Sequence, residues 1–232
     1  MYYSVVVPAH NEAKNLERLV VGLRRELKKT KKPFEIIVVN DNSTDNTVEV
    51  LKKLKKRVKQ LRAIHRTKDK GVGNTIRQGL NKVKGNFIIT LDGDLSHNPK
   101  ELPRFLKAIK KCDMVCGSRY TKYGKADMNL SRLLISGLFN SIFRKIFGLP
   151  VKDFTSGYRI YKREVIDNTK YKSSGFGIYI EIPLKAHLLG YKLKEVPITY
   201  KRRSTGKSKL SYLKQGPDYL RVVFDIIKQK TI

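Results

Sequence analysis

The first 120 residues alternate between two hydrophobic periods, and that alternation restricts the fold more than any other feature of the chain. Tyr3-Ser4-Val5-Val6-Val7 is an apolar run of strand length, and Leu16, Leu19, Val20, Leu23 and Leu27 then recur at helical spacing. Glu35 to Val39 reads as a second strand. Ser43-Thr44-Asp45, with N-cap chemistry, precedes a helical pattern at Val48, Leu51 and Leu54. A weaker strand over Leu61 to His65 leads to a helix over Val72 to Val83. A strand over Phe87 to Leu91, a helix over Pro99 to Ile109 and a strand over Met114 to Gly117 follow. Chains of this kind join neighbouring strands by right-handed crossovers, so the pattern predicts an α/β fold with a mostly parallel central sheet flanked by helices.

In open sheets of this class, ligands bind beyond the carboxyl ends of the strands. Four strand ends here carry polar groups: Pro8-Ala9-His10-Asn11-Glu12, Asn40-Asp41-Asn42-Ser43-Thr44-Asp45, Lys68-Asp69-Lys70-Gly71-Val72-Gly73-Asn74 and Leu91-Asp92-Gly93-Asp94-Leu95-Ser96. The third is a glycine-bearing loop at a helix start, where backbone N–H groups could face a phosphate. In the fourth, two carboxylates separated by one glycine repel each other unless a cation lies between them, and hard oxygen ligands suit Mg2+ or Mn2+. The glycine would leave room for a phosphate on the same metal. Taken alone, Asp92-Gly93-Asp94 reads equally as a surface turn with two solvated carboxylates. On one sheet edge the four loops form a pocket, with carboxylates for ribose and base, helix starts for phosphates and a metal for a pyrophosphate.

After Arg119 the texture changes. Leu130, Leu133, Leu134, Leu138, Ile142, Phe143, Ile146 and Phe147 form a wide apolar stripe, opposite Arg132, Asn140, Arg144 and Lys145. Such a helix is either part of the core or lies in a membrane interface. Strands are predicted over Tyr158 to Tyr161 and Lys192 to Tyr200, with a helix near Ile178 to Leu189. Lys201 to Lys214 holds six basic residues and no acid, and the segment from Tyr219 to Ile227 is amphipathic. The net charge of +30 over 232 residues, from 50 basic and 20 acidic side chains, calls for a polyanionic partner: nucleic acid, an anionic membrane surface or phosphorylated substrates. Nucleic-acid binding lacks its usual companions, since neither zinc ligands, an obvious recognition helix nor aromatic-basic interleaving is present. Cys112 and Cys116 flank an apolar segment and read as reduced core thiols of a cytosolic protein. No signal peptide is visible, and no apolar run approaches the roughly 20 residues of a membrane span.

At this point the chain resembles family 2 glycosyltransferases of the GT-A fold, and within them the polyprenyl (dolichyl) phosphate mannose synthases and their glucosyl relatives. The likeness is carried, in order, by VVVPAHNEAKNL, VVNDNSTDNT, KGVGNTIRQGL, LDGDLSHNPKELP, GSRY, GLPVKDFTSGYRIYKREV, LGYKLKEVPITY and GKSKLS. It implies a Rossmann-like GT-A catalytic domain over 1–210, with a nucleotide-binding half to about residue 120 and an acceptor half from 121. An amphipathic tail without a membrane span would follow over 211–232. Pro8, His10, Glu12, Asp41 and Asp92 would bind the nucleotide. Asp92, Asp94 and Ser96 would hold Mg2+ or Mn2+. Arg119, Arg132 and Ser136 would meet the acceptor phosphate, and Arg203 and Lys209 would clamp phosphates from a mobile loop. Asp94, Arg119, Arg132, Arg203 and Lys209 are thus the expected catalytic set. One departure is Asn40, where the family usually has a first acid; it places nucleotide preference in question.

The implied reaction suits the residues present. A lipid phosphate oxygen is already anionic, so no strong general base is required. A divalent metal and several Arg or Lys side chains would suppress phosphate–phosphate repulsion and stabilise the leaving nucleoside diphosphate. Attack from the opposite face would convert an α-linked donor, GDP-mannose, into a β-linked lipid phosphosugar. The expected partners are the nucleotide sugar, a polyprenyl or dolichyl phosphate, an anionic membrane surface and, as a docking aid, a small integral-membrane protein, with no nucleic acid. The expected place is the cytoplasmic face of the membrane, as for the shorter family members that lack membrane helices. UDP-glucose or UDP-N-acetylhexosamine is the alternative donor, and a non-catalytic membrane-docking or nucleic-acid-binding protein is the alternative class. Processive polysaccharide synthases usually show a Gln-x-x-Arg-Trp motif, and this chain has no Trp.

Overall fold

The computed structural model describes residues 2–68, 70–202 and 212–230. Its strands and helices follow in the order β1 (Tyr3–Ala9), α1 (Ala13–Lys28), β2 (Phe34–Asp41), α2 (Thr47–Arg57), β3 (Leu61–Arg66), α3 (Val72–Leu80), β4 (Phe87–Thr90), α4 (Leu102–Ala108), β5 (Met114–Ser118), β6 (Lys125–Ala126) and α5 (Leu130–Phe147). Then come β7 (Arg159–Lys162), α6 (Arg163–Asn168), α7 (Ile178–Leu188), β8 (Leu193–Pro197), β9 (Thr199–Tyr200) and α8 (Tyr212–Lys230). Seven strands form one sheet in the order β3-β2-β1-β4-β7-β5-β8, while β6 and β9 pair separately. All neighbours in the large sheet run parallel except β7, which lies antiparallel between β4 and β5. The predicted mostly parallel sheet is therefore present, with one strand whose reversal the helix–strand alternation did not reveal. Among the described residues, no helix is long and apolar enough to cross a membrane.

The continuous apolar strands are explained by burial on both faces. Val5, Val7, Ile36, Val38 and Ile89 pack beneath α1, α2 and α4 with Leu16, Leu23 and Phe105. Val6, Ile37, Val39 and Ile88 face the opposite side with Ile76, Ile180 and Val222. Side-chain alternation along each strand thus feeds two cores. Gly79 lets α3 lie close on β1, since a Cβ there would sit 2.3 Å from Val6 Cγ1. Cys112 and Cys116 are free and buried, and burial pushes the Cys116 thiol up to about 12.

Helix α5 departs from the core alternative. Its buried residues are Ser136, Asn140 and Phe147, whereas Leu130, Leu134, Ile135, Leu138, Ile142 and Ile146 are exposed. Asn140, expected on the polar outer face, points inward for a specific reason. Its Oδ1 accepts the buried Phe154 N–H at 2.9 Å, and its Nδ2 donates to Ser136 O at 2.8 Å and Thr155 Oγ1 at 3.0 Å. A buried backbone N–H needs a partner, and here α5 supplies it while Phe143 and Phe147 of its stripe pack inward and those leucines and isoleucines stay exposed.

Candidate active site

Three of the four predicted strand-end loops turn through residues in the left-handed region: Asn11 (φ 59°), Asn42 (φ 52°) and Leu95 (φ 62°). Asn and Asp tolerate this conformation through local hydrogen bonds. Asn11 Oδ1 accepts Thr44 N at 2.8 Å, and Asn11 N donates to Ser43 Oγ at 2.8 Å, which ties the first two loops together. Asp45, one residue before the α2 N-cap Asn46, serves the first amide of both α1 and α2. Its carboxylate accepts Thr47 N at 3.0 Å and Ala13 N at 3.2 Å.

The four loops enclose a cavity of about 320 Å3 lined by Pro8, His10, Glu12, Asp41, Gly71, Thr75, Asp92, Gly93 and Asp94, with Phe176 and Tyr179 opposite. The structure thus brings together all five residues expected to bind nucleotide. His10 Nδ1 hydrogen-bonds with Asp41 O at 2.6 Å. Glu12 is buried and accepts from Asn15 Nδ2 at 2.7 Å. The Asp41 carboxylate accepts from Arg66 Nε at 3.2 Å and Gly71 N at 3.0 Å.

One expectation is corrected at this point, and the glycines gain a second role. Asn40 does not line the cavity; it is buried, its Oδ1 accepts from Ser43 Oγ and N, and its Nδ2 lies 3.4 Å from His65 Nδ1. The missing acid therefore changes the turn beside the pocket. In the glycine loop two of the amides are already engaged. Gly71 N serves Asp41 and Asn74 N serves Ser174 O, while a Cβ on Gly73 would meet the Ser173 and Gly175 carbonyls at 2.3 and 2.6 Å. These glycines admit the 173–175 segment. Gly93 likewise answers to backbone packing, since a Cβ there would lie 2.8 Å from Pro8 O.

A second cavity, of about 330 Å3, adjoins the first across Asp92, Asp94, Phe176 and Tyr179. Its wall adds His97, Arg119, Arg132, Ser136, Thr155 and Tyr200, and then Ile135, Phe139, Phe143, Tyr219 and Leu220 between α5 and α8. Arg119, Arg132 and Ser136 are therefore gathered as expected. Arg119 is held rigidly: Nε and Nη2 donate to the two oxygens of fully buried Asp153 at 2.7 and 2.8 Å, and its backbone N donates to the same carboxylate at 3.0 Å. Burial would raise the Asp153 carboxyl, but the Arg119 charge and these hydrogen bonds outweigh it and hold the group below the usual carboxylate range. Ser136 Oγ accepts from Arg119 Nη2 at 3.4 Å, and the guanidinium faces the Tyr120 and Tyr200 rings at 5.3 and 5.8 Å. Arg203 and Lys209 lie outside the described residues.

Where the cavities meet, Asp94 is almost wholly buried and accepts Ser96 N at 2.9 Å. Ser96 Oγ and His97 Nδ1 are buried and have no hydrogen-bond partner among the described residues. Asp92 accepts from Tyr179 Oη at 2.8 Å through Oδ1, and its Oδ2 lies 3.3 Å from His97 Nε2. Burial and the Asp92 charge push the Tyr179 phenol well above its ordinary value, which keeps it a donor. The turn before Tyr179 is tied to α8, since Gly177 N donates to Asp218 Oδ2 at 2.6 Å. Sequence reasoning assigned no role to Tyr179, His97, Asp153 or Arg66. His97 and Asp153 lay inside quoted motifs, and Arg66 is the β3 register partner of Asp41. Tyr179, in an apolar run, carried no local signal.

Fold and site together define the class expected from the sequence: residues 4–169 match the sequence model of glycosyl transferase family 2, and the chain belongs to that family, as a glycosyltransferase. Its relatives include the dolichol-phosphate mannosyltransferase of Pyrococcus furiosus, 34% identical over 98% of this chain. The chain spans only 64% of that relative's length. The undecaprenyl-phosphate mannosyltransferase of Micrococcus luteus is 31% identical, over 89% of this chain and 86% of the relative. The polyprenol monophosphomannose synthase of Mycolicibacterium smegmatis is 33% identical, over 89% and 80%. Among solved structures, glucosyl-3-phosphoglycerate synthase from Mycobacterium tuberculosis, in complex with Mn2+, UDP and phosphoglyceric acid, superposes with a TM-score of 0.71. It is 18% identical, over 98% of this chain and 78% of that one. At that identity the likeness is one of fold.

Proposed function

We propose that this chain transfers mannose from GDP-mannose to a polyprenyl or dolichyl phosphate, with inversion at the anomeric carbon. One observation carries the reading: two cavities of similar size share Asp92, Asp94 and Tyr179. The first is built from strand-end polar groups and suits a nucleoside diphosphate sugar. The second sets Arg119 and Arg132 beside Ile135, Phe139, Phe143 and Leu220, which suits a phosphate carried on a hydrocarbon chain. The names of the three relatives support the same pairing of sugar and lipid phosphate.

The residues at the junction fit a divalent cation. Asp92 and Asp94 offer hard oxygens, and the buried hydroxyl of Ser96 has no other partner among the described residues. Among the described residues, no group of three or more His, Cys, Asp or Glu side chains forms a metal cage, so the protein's share would be partial, leaving positions for phosphate oxygens. Bound there, Mg2+ or Mn2+ would offset the charge of the leaving diphosphate. Arg119, fixed by Asp153, and Arg132 would bind and orient the acceptor phosphate, with Ser136 beside them. Arg203 and Lys209 would add positive charge from the neighbouring segment. An acceptor oxygen already ionised needs no base, in keeping with a junction where the phenol of Tyr179 stays protonated.

Membrane-surface attachment at the cytoplasmic face completes the proposal. The exposed Leu134, Leu138, Ile142 and Ile146 of α5 and Leu220, Phe224 and Ile227 of α8 supply apolar contact. Arg132, Arg144, Lys145 and Arg202 would each add about 1 kcal/mol near anionic lipid. A small integral-membrane protein would dock on the same surface.

The test is transfer to polyprenyl phosphate from GDP-mannose, UDP-glucose or UDP-N-acetylglucosamine with Mg2+ or Mn2+, and the product's anomeric configuration read by NMR. The expected product is the β-mannosyl phospholipid, lost by roughly a hundredfold or more in a folded Asp94→Ala variant. Transfer from a UDP-sugar alone would overturn the donor assignment, and full activity in Asp94→Ala would overturn the site.

A further inference from the structure

We propose that Tyr179 and His97 are positioning residues that clamp the Asp92 carboxylate from both of its oxygens, and that Gly157 is the notch that lets them close on it. The inference rests on the reading above that Asp92 is a cation and diphosphate ligand, and it concerns how that ligand is aimed.

Three separate parts of the fold converge on this carboxylate. Tyr179, in the first turn of α7, donates its hydroxyl to Oδ1 at 2.8 Å. His97, beyond the Asp94 turn, brings Nε2 to 3.3 Å from Oδ2. Gly157, just before β7, faces the pair edge-on: a Cβ there would stand 3.0 Å from both Asp92 Oδ1 and Tyr179 Cε1. Any larger residue at 157 would have to displace the carboxylate or the phenol.

The surroundings make the clamp stiff. The His97 side chain is 2% exposed, and its ring packs between Tyr158 and Tyr200 at centroid distances of 5.4 and 5.6 Å. The α7 turn is anchored from beneath by Arg159, whose guanidinium donates to the Tyr179 and Phe154 carbonyls. Asp92, by contrast, keeps 29% of its side chain accessible, on the wall that the two cavities share.

The geometry has a chemical purpose. An ionised carboxylate has about four lone-pair directions, and a free one rotates among them. The phenol's hydrogen bond on Oδ1 and the buried imidazole close against Oδ2 hold its plane on the wall that the two cavities share. A phenol does this without bringing in a positive charge that would compete with a cation, as a lysine would. Groups that orient a metal's ligands in this way commonly set affinity by about ten- to a hundredfold.

The test is Mn2+ titration of the full chain followed by electron paramagnetic resonance, in the presence of GDP and, in a parallel series, UDP. Tyr179→Phe keeps the ring and removes only the hydroxyl. The expected result is a Kd for Mn2+ raised about tenfold or more, with the metal-free melting temperature close to that of the wild type. Gly157→Ala should raise the Kd in the same direction with the hydroxyl still present. A Kd within twofold of wild type in both variants would overturn the inference while leaving the proposed function standing. A wild type that binds no Mn2+ with either nucleotide would overturn both.

Discussion

Arg119 and Asp153 show how a single buried pair can decide whether a site exists. Asp153 is fully buried, and its partner sits on the wall of the second cavity. Removing one partner of such a pair leaves an uncompensated buried charge, so Asp153→Asn should destabilise the protein by roughly 3–5 kcal/mol, measured by urea unfolding. The pH dependence has a definite sign. Because the folded carboxyl lies below its unfolded value, its contribution is present above about pH 4 and is lost as pH falls through the folded value. The wild type should therefore lose more stability than Asp153→Asn on going from pH 5 to 3.

At this scale the sequence was legible where a residue's role is local. Asp92, Asp94, Pro8, Glu12 and Asp41 lie where parallel strands end, and strand ends can be located from hydrophobic period alone. Asp153, Tyr179 and His97 act on residues 34, 87 and 5 positions away, and two of those three separations are invisible to any window. The glycines carry a packing role that the sequence did not show. Gly71, Gly73 and Gly93 suggested phosphate access, and each also faces a carbonyl from a distant segment.

Among the elements, α5 is the one whose apolar pattern the sequence showed while leaving its orientation open between core and membrane interface. Its apolar stripe exists, but the helix is pinned by Asn140 and Ser136, and most of the stripe faces outward. A single-sequence hydrophobic pattern says that a face is apolar, and only the partner surface says what covers it. If that face meets lipid, Leu138→Glu with Ile142→Glu should cut association with anionic vesicles by about a hundredfold or more, since each side chain would bury roughly 1.5–3 kcal/mol of apolar contact. Sedimentation with vesicles measures this, and the melting temperature should hold because both positions are already exposed. The helix–strand alternation located every strand of the parallel part within two or three residues. The strand expected over Tyr158 to Tyr161 is present as β7, but its reversal could not be foreseen, because it depends on pairing between β4 and β5.

For the molecule as a whole, the sheet order sets the conditions under which any part of it can fold. The β5 strand has two neighbours in the sheet, β7 and β8, and both come later in the chain. A fragment ending at residue 120 should therefore show no cooperative melting transition by circular dichroism, even though it holds β1 to β4 and most of the first cavity.

The same order has a consequence on the ribosome. At about 5–20 residues per second, β5 waits roughly 2–9 s for β7 to be synthesised, and through that interval the edges that β7 will occupy, one on β4 and one on β5, stand open, as does the β5 edge that awaits β8. Open edges of this kind recruit other chains. The period of greatest danger for this protein thus falls before its first substrate is ever bound, while the nascent chain is still waiting for residues 159–162.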